Sequence, residues 1–315
     1  MRGETADFFG DILAARVAER ESQIVLGLDP DPGALWPGSG EAGAAGPSPA
    51  QAAAAAVLGH CRALMEAAAP ACVAVKPQLA RFEALGAAGW AALEAVAAHA
   101  RGLGMLLIAD GKRGDIDVSA AAYARAFGEG LDSPFGRVEG LRAELVTVNP
   151  LMGKDTLEPF VQAARAAGTG VLVLVRSSNP GAADIEDLRL QDGGTVWERV
   201  AEIVSELGGG GVGEDGLSDV GAVLGATEPV HLERARELMP NAVFLLPGVG
   251  AQGGRVQELG AAFAPGRAGG LVSASRSIAS AYRVRGGDPA AAAREEAERL
   301  REIAWRLSDR VLGAA

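Results

Sequence analysis

The chain has 315 residues, of which 49% are hydrophobic and 4% aromatic, so it can bury a large core built mainly of Ala, Val and Leu. Its formal net charge of −11 at pH 7 argues against a nucleic-acid backbone binder, which needs a basic face. A small anionic substrate remains compatible with this charge, because a local basic pocket can lie in an acidic surface. We therefore expect no nucleic-acid partner.

The first 23 residues are charged throughout and lack the apolar segment of a secretory signal. Because no window reaches about 18 uninterrupted apolar residues, the sequence predicts no membrane span. The two cysteines, Cys61 and Cys72, form no Cys-x-x-Cys motif and are predicted to be buried, inert thiols. These features favour a reducing, cytoplasmic location.

Short apolar runs recur along the chain, each followed by polar or glycine-rich residues and then by a helical stretch. Continuous Val, Leu and Ile without polar alternation is typical of strands buried on both faces of a parallel sheet. The predicted strands are residues 23–29, 71–76, 104–110, 144–149, 170–176, 220–226, 242–248 and 269–275. The predicted helices are residues 52–69, 87–101, 120–126, 157–167, 197–207 and 230–238.

The alternation of eight strands with helices indicates a (β/α)8 barrel, with a doubly wound sheet as the competing interpretation. Three Gly/Pro-rich or acidic stretches, at 33–49, 128–136 and 208–219, interrupt the pattern without ending it. They are interpreted as surface insertions rather than linkers. We therefore predict one α/β domain, a TIM barrel, over residues 1–315.

Polar residues end or follow the predicted strands, at the end where such barrels carry their active sites. They are Asp29, Lys76, Asp110, Lys112, Asn149, Ser177, Ser178, Asn179, Thr227, Ser275 and Arg276. The densest group is residues 110–117, where a helix N-terminus would explain the acids Asp115 and Asp117. That explanation leaves out Asp110 and Lys112, which end an apolar strand. The pattern therefore predicts a charged active site at this mouth of the barrel.

The segment GVGAQG at 248–253 satisfies the glycine pattern of dinucleotide-binding loops. Only about sixty residues follow it, too few for a dinucleotide domain. A phosphate site is favoured, because the seventh and eighth loops of barrels commonly hold a phosphate. The loop N–H groups, the Gln252 amide and the Arg276 guanidinium would be its donors.

Other chemistries have little support in the sequence. His60, His99 and His231 do not pair at metal-ligand spacing, and there is no G-x-S-x-G motif of serine hydrolases. Outside residues 110–117, no cluster of carboxylates suggests a metal site. We therefore predict no metal centre.

The segment DGKRGDI at 110–116 resembles the D-x-K-x-x-D-I signature of orotidine 5'-phosphate decarboxylases, in the form of their type 2 bacterial branch. The resemblance covers essentially the whole chain, with the other similar segments in the same order. They are GLDPDP (27–32), VKPQLARFE (75–83), TVNPLMGKDTLEPF (147–160), RSSNPG (176–181), GATEP (225–229), LLPGVGAQGG (245–254) and SASRSI (273–278).

This resemblance implies decarboxylation of orotidine 5'-monophosphate (OMP) to uridine 5'-monophosphate (UMP), the last step of pyrimidine synthesis, without a metal or an organic cofactor. Lys112 then corresponds to the proton donor to C6 of the pyrimidine. Asp110 corresponds to the acid that orients Lys112 and faces the departing carboxylate. Lys76 corresponds to the lysine that completes this network, and Asp29 to the aspartate that binds a ribose hydroxyl.

The resemblance also implies a homodimer in which Asp115 enters the active site of the partner. Ser119 lies where the family often has Thr. Ser177 matches the hydroxyl that contacts the pyrimidine, with Ser178 as its adjacent rival. The remaining predicted substrate-binding residues are Gln252, Gly254, Ser275 and Arg276.

Two alternatives remain at this point. A sugar-phosphate lyase of the same superfamily would usually need a Mg²⁺ site built from strand-end carboxylates, and Lys76 occupies one such strand end. A catalytically silent nucleotide-phosphate binder would have no use for acids beside an anionic substrate. The four charged residues Lys76, Asp110, Lys112 and Asp115 therefore favour the decarboxylase.

Overall fold

A computed structural model describes residues 8–39, 48–250 and 253–313. Its centre is a closed barrel of eight parallel strands. In the order in which they pair around the barrel, these strands are β1 (Ile24–Leu28), β2 (Ala74–Pro77), β3 (Leu106–Arg113), β6 (Leu145–Val148), β7 (Gly170–Arg176), β8 (Val220–Leu224), β9 (Phe244–Leu246) and β10 (Gly270–Ala274). A separate antiparallel hairpin is formed by β4 (Leu131–Ser133) and β5 (Gly136–Val138).

Helices connect the strands and surround the barrel. They are α1 (Phe9–Arg20), α2 (Pro49–Ala68), α3 (Leu79–Glu83), α4 (Gly86–Gly102), α5 (Asp117–Ala124), α6 (Lys154–Ala167), α7 (Val196–Gly208), α8 (Val230–Leu238), α9 (Arg276–Ala279), α10 (Tyr282–Arg285) and α11 (Pro289–Leu312). Among the described residues, none of these helices is both long and apolar enough to cross a membrane.

Several helices begin at capping residues that the sequence supplies. The side chains of Ser48 and Asp288 accept hydrogen bonds from backbone N–H groups of α2 and α11, and each is followed by a proline at the first helical position. Thr195 and Glu198 form a capping box at the start of α7. These local hydrogen bonds determine where α2, α7 and α11 begin without the help of tertiary contacts.

The predicted (β/α)8 barrel is confirmed, and each of the eight predicted strands is present with ends shifted by a few residues. The six predicted helices are also present, as α2 and α4 to α8. The sequence pattern does not predict α1, α3, the three helices after β10, or the hairpin, whose first strand lies in the predicted insertion at 128–136. Helices are predicted only between strands, whereas α1 and the three helices after β10 lie outside the series of strands.

Alternation along the strands separates the core into two layers. Inward side chains such as Val25, Ile108 and Leu172 fill the barrel, together with Phe9 and Leu13 of α1. Because Phe9 contacts Gly170, the first residue of β7, α1 closes the amino end of the barrel. The open end is therefore the carboxyl end of the strands, where the polar residues lie.

The two cysteines are buried and free, as predicted. Burial raises the pKa of the Cys61 thiol to about 12, with a smaller contribution from the charge of Asp29. Burial also raises the pKa of Cys72 to about 12. Neither thiol is therefore a nucleophile near neutral pH.

Candidate active site

A cleft of about 250 Å³ opens at the carboxyl ends of the barrel strands. Every barrel strand except β6 leads into residues that line it. The predicted site residues among them are Asp29, Lys76, Asp110, Lys112, Ser177, Ser275 and Arg276. A neighbouring cavity of about 480 Å³ shares Asp29, Gln78, Ser275 and Arg276, so the two spaces adjoin around these side chains.

The centre of the cleft is a carboxylate held between two ammonium groups. Lys76 Nζ donates to Asp110 Oδ2 at 2.5 Å, and Lys112 Nζ donates to Asp110 Oδ1 at 2.6 Å. The Lys76 and Asp110 side chains are 7% and 6% exposed, whereas that of Lys112 is 35% exposed. Lys112 is therefore the lysine whose ammonium is open to a ligand.

Opposing effects determine the charge of Asp110. Burial acts to raise its pKa, but the charges of Lys76 and Lys112 and their hydrogen bonds outweigh this effect and lower the pKa to about 2. The carboxylate is therefore ionised across the physiological pH range. A ligand that enters the cleft meets a fixed negative charge flanked by two positive ones.

A bulge in β3 produces this arrangement. Ala109 pairs with Val146 of β6, and the next pair along the strands is Arg113 with Val148. Three residues of β3, at 110–112, therefore lie opposite the single residue Thr147. Within the bulge, Lys112 has a φ of +46°, in the left-handed region that residues other than glycine rarely adopt.

The residues after the bulge lie outside this cleft. Asp115 is half-buried, and its Oδ1 accepts a hydrogen bond of 2.8 Å from the N–H of Ile116. Ser119 is exposed on α5. Neither residue lines the cleft of its own chain. Arg113 forms an ion pair with Glu83 of α3, which gives this charge a structural role.

Some backbone N–H groups of the glycine loop after β9 donate to carbonyl oxygens of the same loop. The N–H of Gly250 donates to Gly254 O at 2.9 Å, that of Gly253 to Gly250 O at 2.9 Å, and that of Gly254 to Gly248 O at 3.1 Å. These three N–H groups therefore face carbonyl oxygens of the loop rather than an anion. Gln252, a predicted phosphate ligand, lies outside the described residues.

The loop after β7 is held by a buried arginine and two partly exposed carboxylates whose pairing the sequence did not reveal. Arg176 donates to Asp187 at 3.0 and 2.9 Å. The N–H of Ser177 donates to Glu186 Oε2 at 2.9 Å, and its hydroxyl lies 2.7 Å from Asn179 Oδ1 and 3.1 Å from Glu186 Oε1. Because both hydroxyl neighbours are oxygen acceptors, the Ser177 proton points to one of them and its oxygen keeps lone pairs for a donor.

No group of three or more His, Cys, Asp or Glu side chains that could hold a metal ion occurs within the part of the chain that the structure describes. The polar side chains of the cleft are two lysines, an arginine, serines, the amides of Gln78 and Asn179, and the carboxylates of Asp29 and Asp110. This set combines positive charge for an anionic ligand with one buried acid at its centre.

A family model described as the Orotidine 5'-phosphate decarboxylase / HUMPS family matches residues 22–295. The chain belongs to this family. The matched range contains all eight barrel strands and every residue that lines the cleft. The cleft therefore lies within the part of the chain that the family model matches.

Individual relatives are similar over most of their length. An orotidine 5'-phosphate decarboxylase from Deinococcus radiodurans is 46% identical over 253 residues, which cover 80% of this chain and 83% of the relative. One from a Roseiflexus species is 37% identical over 295 residues, 93% of this chain and 96% of the relative. The solved structure of Leishmania donovani OMP decarboxylase is 33% identical with a TM-score of 0.69, covering 94% of this chain and 99% of that chain.

Proposed function

We propose that the chain decarboxylates OMP to UMP and CO2, with Lys112 as the proton donor. Membership of the family and the identity to curated decarboxylases support the reaction. The observation that carries the assignment of roles is the Lys76–Asp110–Lys112 array, a buried carboxylate between two lysines in the cleft.

The reaction breaks the bond between C6 of the pyrimidine and the carboxylate carbon. The electron pair of that bond stays on C6, and CO2 leaves. The developing carbanion is stabilised by the nearby ammonium of Lys112, because a preorganised charge needs no rearrangement when the transition state forms. Lys112 then donates a proton from Nζ to C6, becomes neutral, and regains a proton from solvent. Asp110 and Lys76 hold the Lys112 ammonium in place.

The other residues of the cleft bind the rest of the nucleotide. Asp29 accepts a hydrogen bond from a ribose hydroxyl, and the guanidinium of Arg276, exposed at the cleft, binds the phosphate. Ser275 and the Gln252 amide are the other proposed phosphate ligands, whereas the N–H of Gly254, predicted from the sequence as a ligand, donates instead to Gly248 O. Ser177 contacts the pyrimidine, with Ser178 of the same cleft as the alternative.

The proposed enzyme is a cytoplasmic homodimer that needs no metal or organic cofactor. Asp115 and Ser119 lie away from the cleft of their own chain, which is compatible with a role across a subunit interface. In this arrangement Asp115 of one subunit completes the active site of the other.

The direct test adds OMP to the purified chain in the presence of EDTA and follows the loss of its ultraviolet absorbance. We expect stoichiometric UMP and CO2, and no turnover by Lys112→Ala, which should still bind a product analogue. A chain that binds OMP without consuming it would refute the proposed reaction. Turnover that EDTA abolishes and Mg²⁺ restores would instead support a metal-dependent lyase.

A further inference from the structure

We propose that Thr147 is a positioning residue for the reaction, although no motif singles it out. Its hydroxyl holds the bulged segment 110–112 in the shape that brings the carboxylate and the proton-donating lysine together. This inference rests on the proposed function, because it assigns Thr147 to the site of that reaction.

The contacts of Thr147 join the two parts of the bulge. Its side chain is fully buried, and its Oγ1 accepts a hydrogen bond of 3.0 Å from the backbone N–H of Lys112. The same oxygen lies 3.0 Å from Asp110 Oδ1 and 3.5 Å from Ala109 O. A hydroxyl has one hydrogen to donate, and the carboxylate is the nearer and charged acceptor. One hydroxyl therefore links the backbone of Lys112 to the side chain of Asp110.

Both ends of this link need support. The left-handed φ of +46° at Lys112 is unfavourable for a residue with a Cβ, and it persists only where surrounding contacts impose it. Asp110 Oδ1 also receives the 2.6 Å hydrogen bond from Lys112 Nζ, so any rotation of the carboxylate moves the ammonium as well. Without the hydroxyl, the Lys112 N–H and the carboxylate each lose a partner inside the protein.

The position of Thr147 excludes direct contact with the substrate as the explanation. It lies on β6, the one barrel strand that contributes no residue to the cleft lining. Thr147 does not line the cleft, and it contacts the Lys76–Asp110–Lys112 array through the Asp110 carboxylate and the Lys112 backbone N–H. Its effect on the reaction must therefore pass through these two residues, and should appear in kcat rather than in substrate binding.

Two matched pairs isolate the hydroxyl. The first pair is the parent chain and Thr147→Val, which removes the hydroxyl while keeping the shape of the side chain. The second pair is Thr147→Ser, which keeps the hydroxyl, and Thr147→Ala, which removes it. Thr147→Ala differs from Thr147→Ser by the oxygen alone, so this second pair gives the answer even if the valine variant fails to fold. Thr169→Val is the control, because the Thr169 hydroxyl donates to Ala164 O at the opposite end of the barrel.

For each variant, kcat and KM for OMP, UMP affinity and thermal unfolding are measured. We expect the Val and Ala variants to lose kcat by on the order of 10²-fold, with KM and UMP affinity changed less than about threefold. Thr147→Ser and Thr169→Val should stay near the parent kcat. Equal kcat in the Ser and Ala variants, or a loss confined to KM, would overturn the positioning role. Turnover by the unaltered chain tests the proposed function separately.

Discussion

The ammonium nitrogen of Lys76 lies 2.5 Å from Asp110 Oδ2, and the two side chains are only 7% and 6% exposed. Lys154 and Glu206 form an ion pair of the same length at the surface, where the side chains are 37% and 61% exposed. Removing either partner of the buried pair should be costly, because water cannot solvate the charge that remains. Removing a partner of the surface pair should cost much less.

We therefore predict different costs for breaking these two pairs. Lys76→Met should lower the free energy of unfolding by about 1.5–3 kcal/mol, because it removes one charged hydrogen bond and leaves the buried Asp110 with one cation instead of two. Lys154→Met should cost less than about 1 kcal/mol. Denaturant unfolding of both variants measures the difference. Equal losses would show that the buried array contributes no more than a surface pair.

The same substitution should affect catalysis. Loss of the Lys76 charge allows the pKa of Asp110 to rise from about 2, and it frees the carboxylate to rotate away from Lys112. We expect kcat/KM for OMP to fall by at least about 10²-fold in Lys76→Met.

A second prediction concerns the phosphate. Arg276→Ala should lower kcat/KM for OMP by roughly 10- to 100-fold, the effect of losing a hydrogen bond to a charged group. It should change the reaction of orotidine, which lacks the phosphate, much less, because the lost contact is absent from that substrate. Arg199→Ala on the exposed face of α7 is the surface control. Equal losses on both substrates would place Arg276 elsewhere in the mechanism.

A third prediction separates the two adjacent serines. If Ser177 contacts the pyrimidine, Ser177→Ala should raise KM for OMP by roughly tenfold, about one hydrogen bond, and Ser178→Ala should have the smaller effect. Ser177→Ala also removes contacts to Glu186 and Asn179, so thermal unfolding of both variants is compared. The opposite order of KM values would assign the pyrimidine contact to Ser178.

The sequence predicts the barrel because each strand is a continuous apolar run, and apolar runs are a local property. It also predicts which residues reach the mouth, since Asp29, Lys76 and Asp110 end such runs and Arg276 directly follows one. It does not predict the bulge opposite Thr147, because the pairing of β3 with β6 joins residues 35 positions apart. The partner of Arg113, Glu83 on α3, is likewise a tertiary contact that no spacing in the sequence indicates.

The glycine loop shows the same limit. Its pattern predicts a backbone that bends sharply, and Gly250 and Gly253 do have positive φ angles. Whether the N–H groups of such a loop point outward to an anion or inward to its own carbonyls depends on the complete set of dihedral angles. In the structure Gly250, Gly253 and Gly254 donate inward.

A fourth prediction follows from His60, which is buried beside the cavity next to the cleft. Its Nδ1 accepts a hydrogen bond of 3.2 Å from the Trp36 N–H, and burial lowers its pKa from 6.5 to about 4. Below pH 6.5, His60 therefore binds a proton in the unfolded chain but not in the folded chain. The free energy of unfolding should fall as pH decreases towards about 4.

The free energy of unfolding should fall by roughly 1 kcal/mol per pH unit between pH 6.5 and about 4. Above pH 6.5 this loss should be absent. His60→Asn keeps an acceptor for the Trp36 N–H but removes the titration. The difference in unfolding free energy between the parent and this variant should therefore shift in favour of the variant as pH falls from 6.5 to 4. A difference that does not change with pH would mean that folding does not lower the pKa of His60.

The last prediction tests whether Asp115 acts across a subunit interface. Lys112→Ala and Asp115→Ala homodimers should each be nearly inactive. In a hybrid dimer, one site receives both substitutions, and the other combines an intact Lys112 from one subunit with an intact Asp115 from its partner. Random mixing of equal amounts should therefore restore about a quarter of the sites. Mixing Lys112→Ala with the double variant should restore none, because no subunit then carries Lys112. Lack of recovery in hybrid dimers confirmed by mass would place Asp115 in the active site of its own chain.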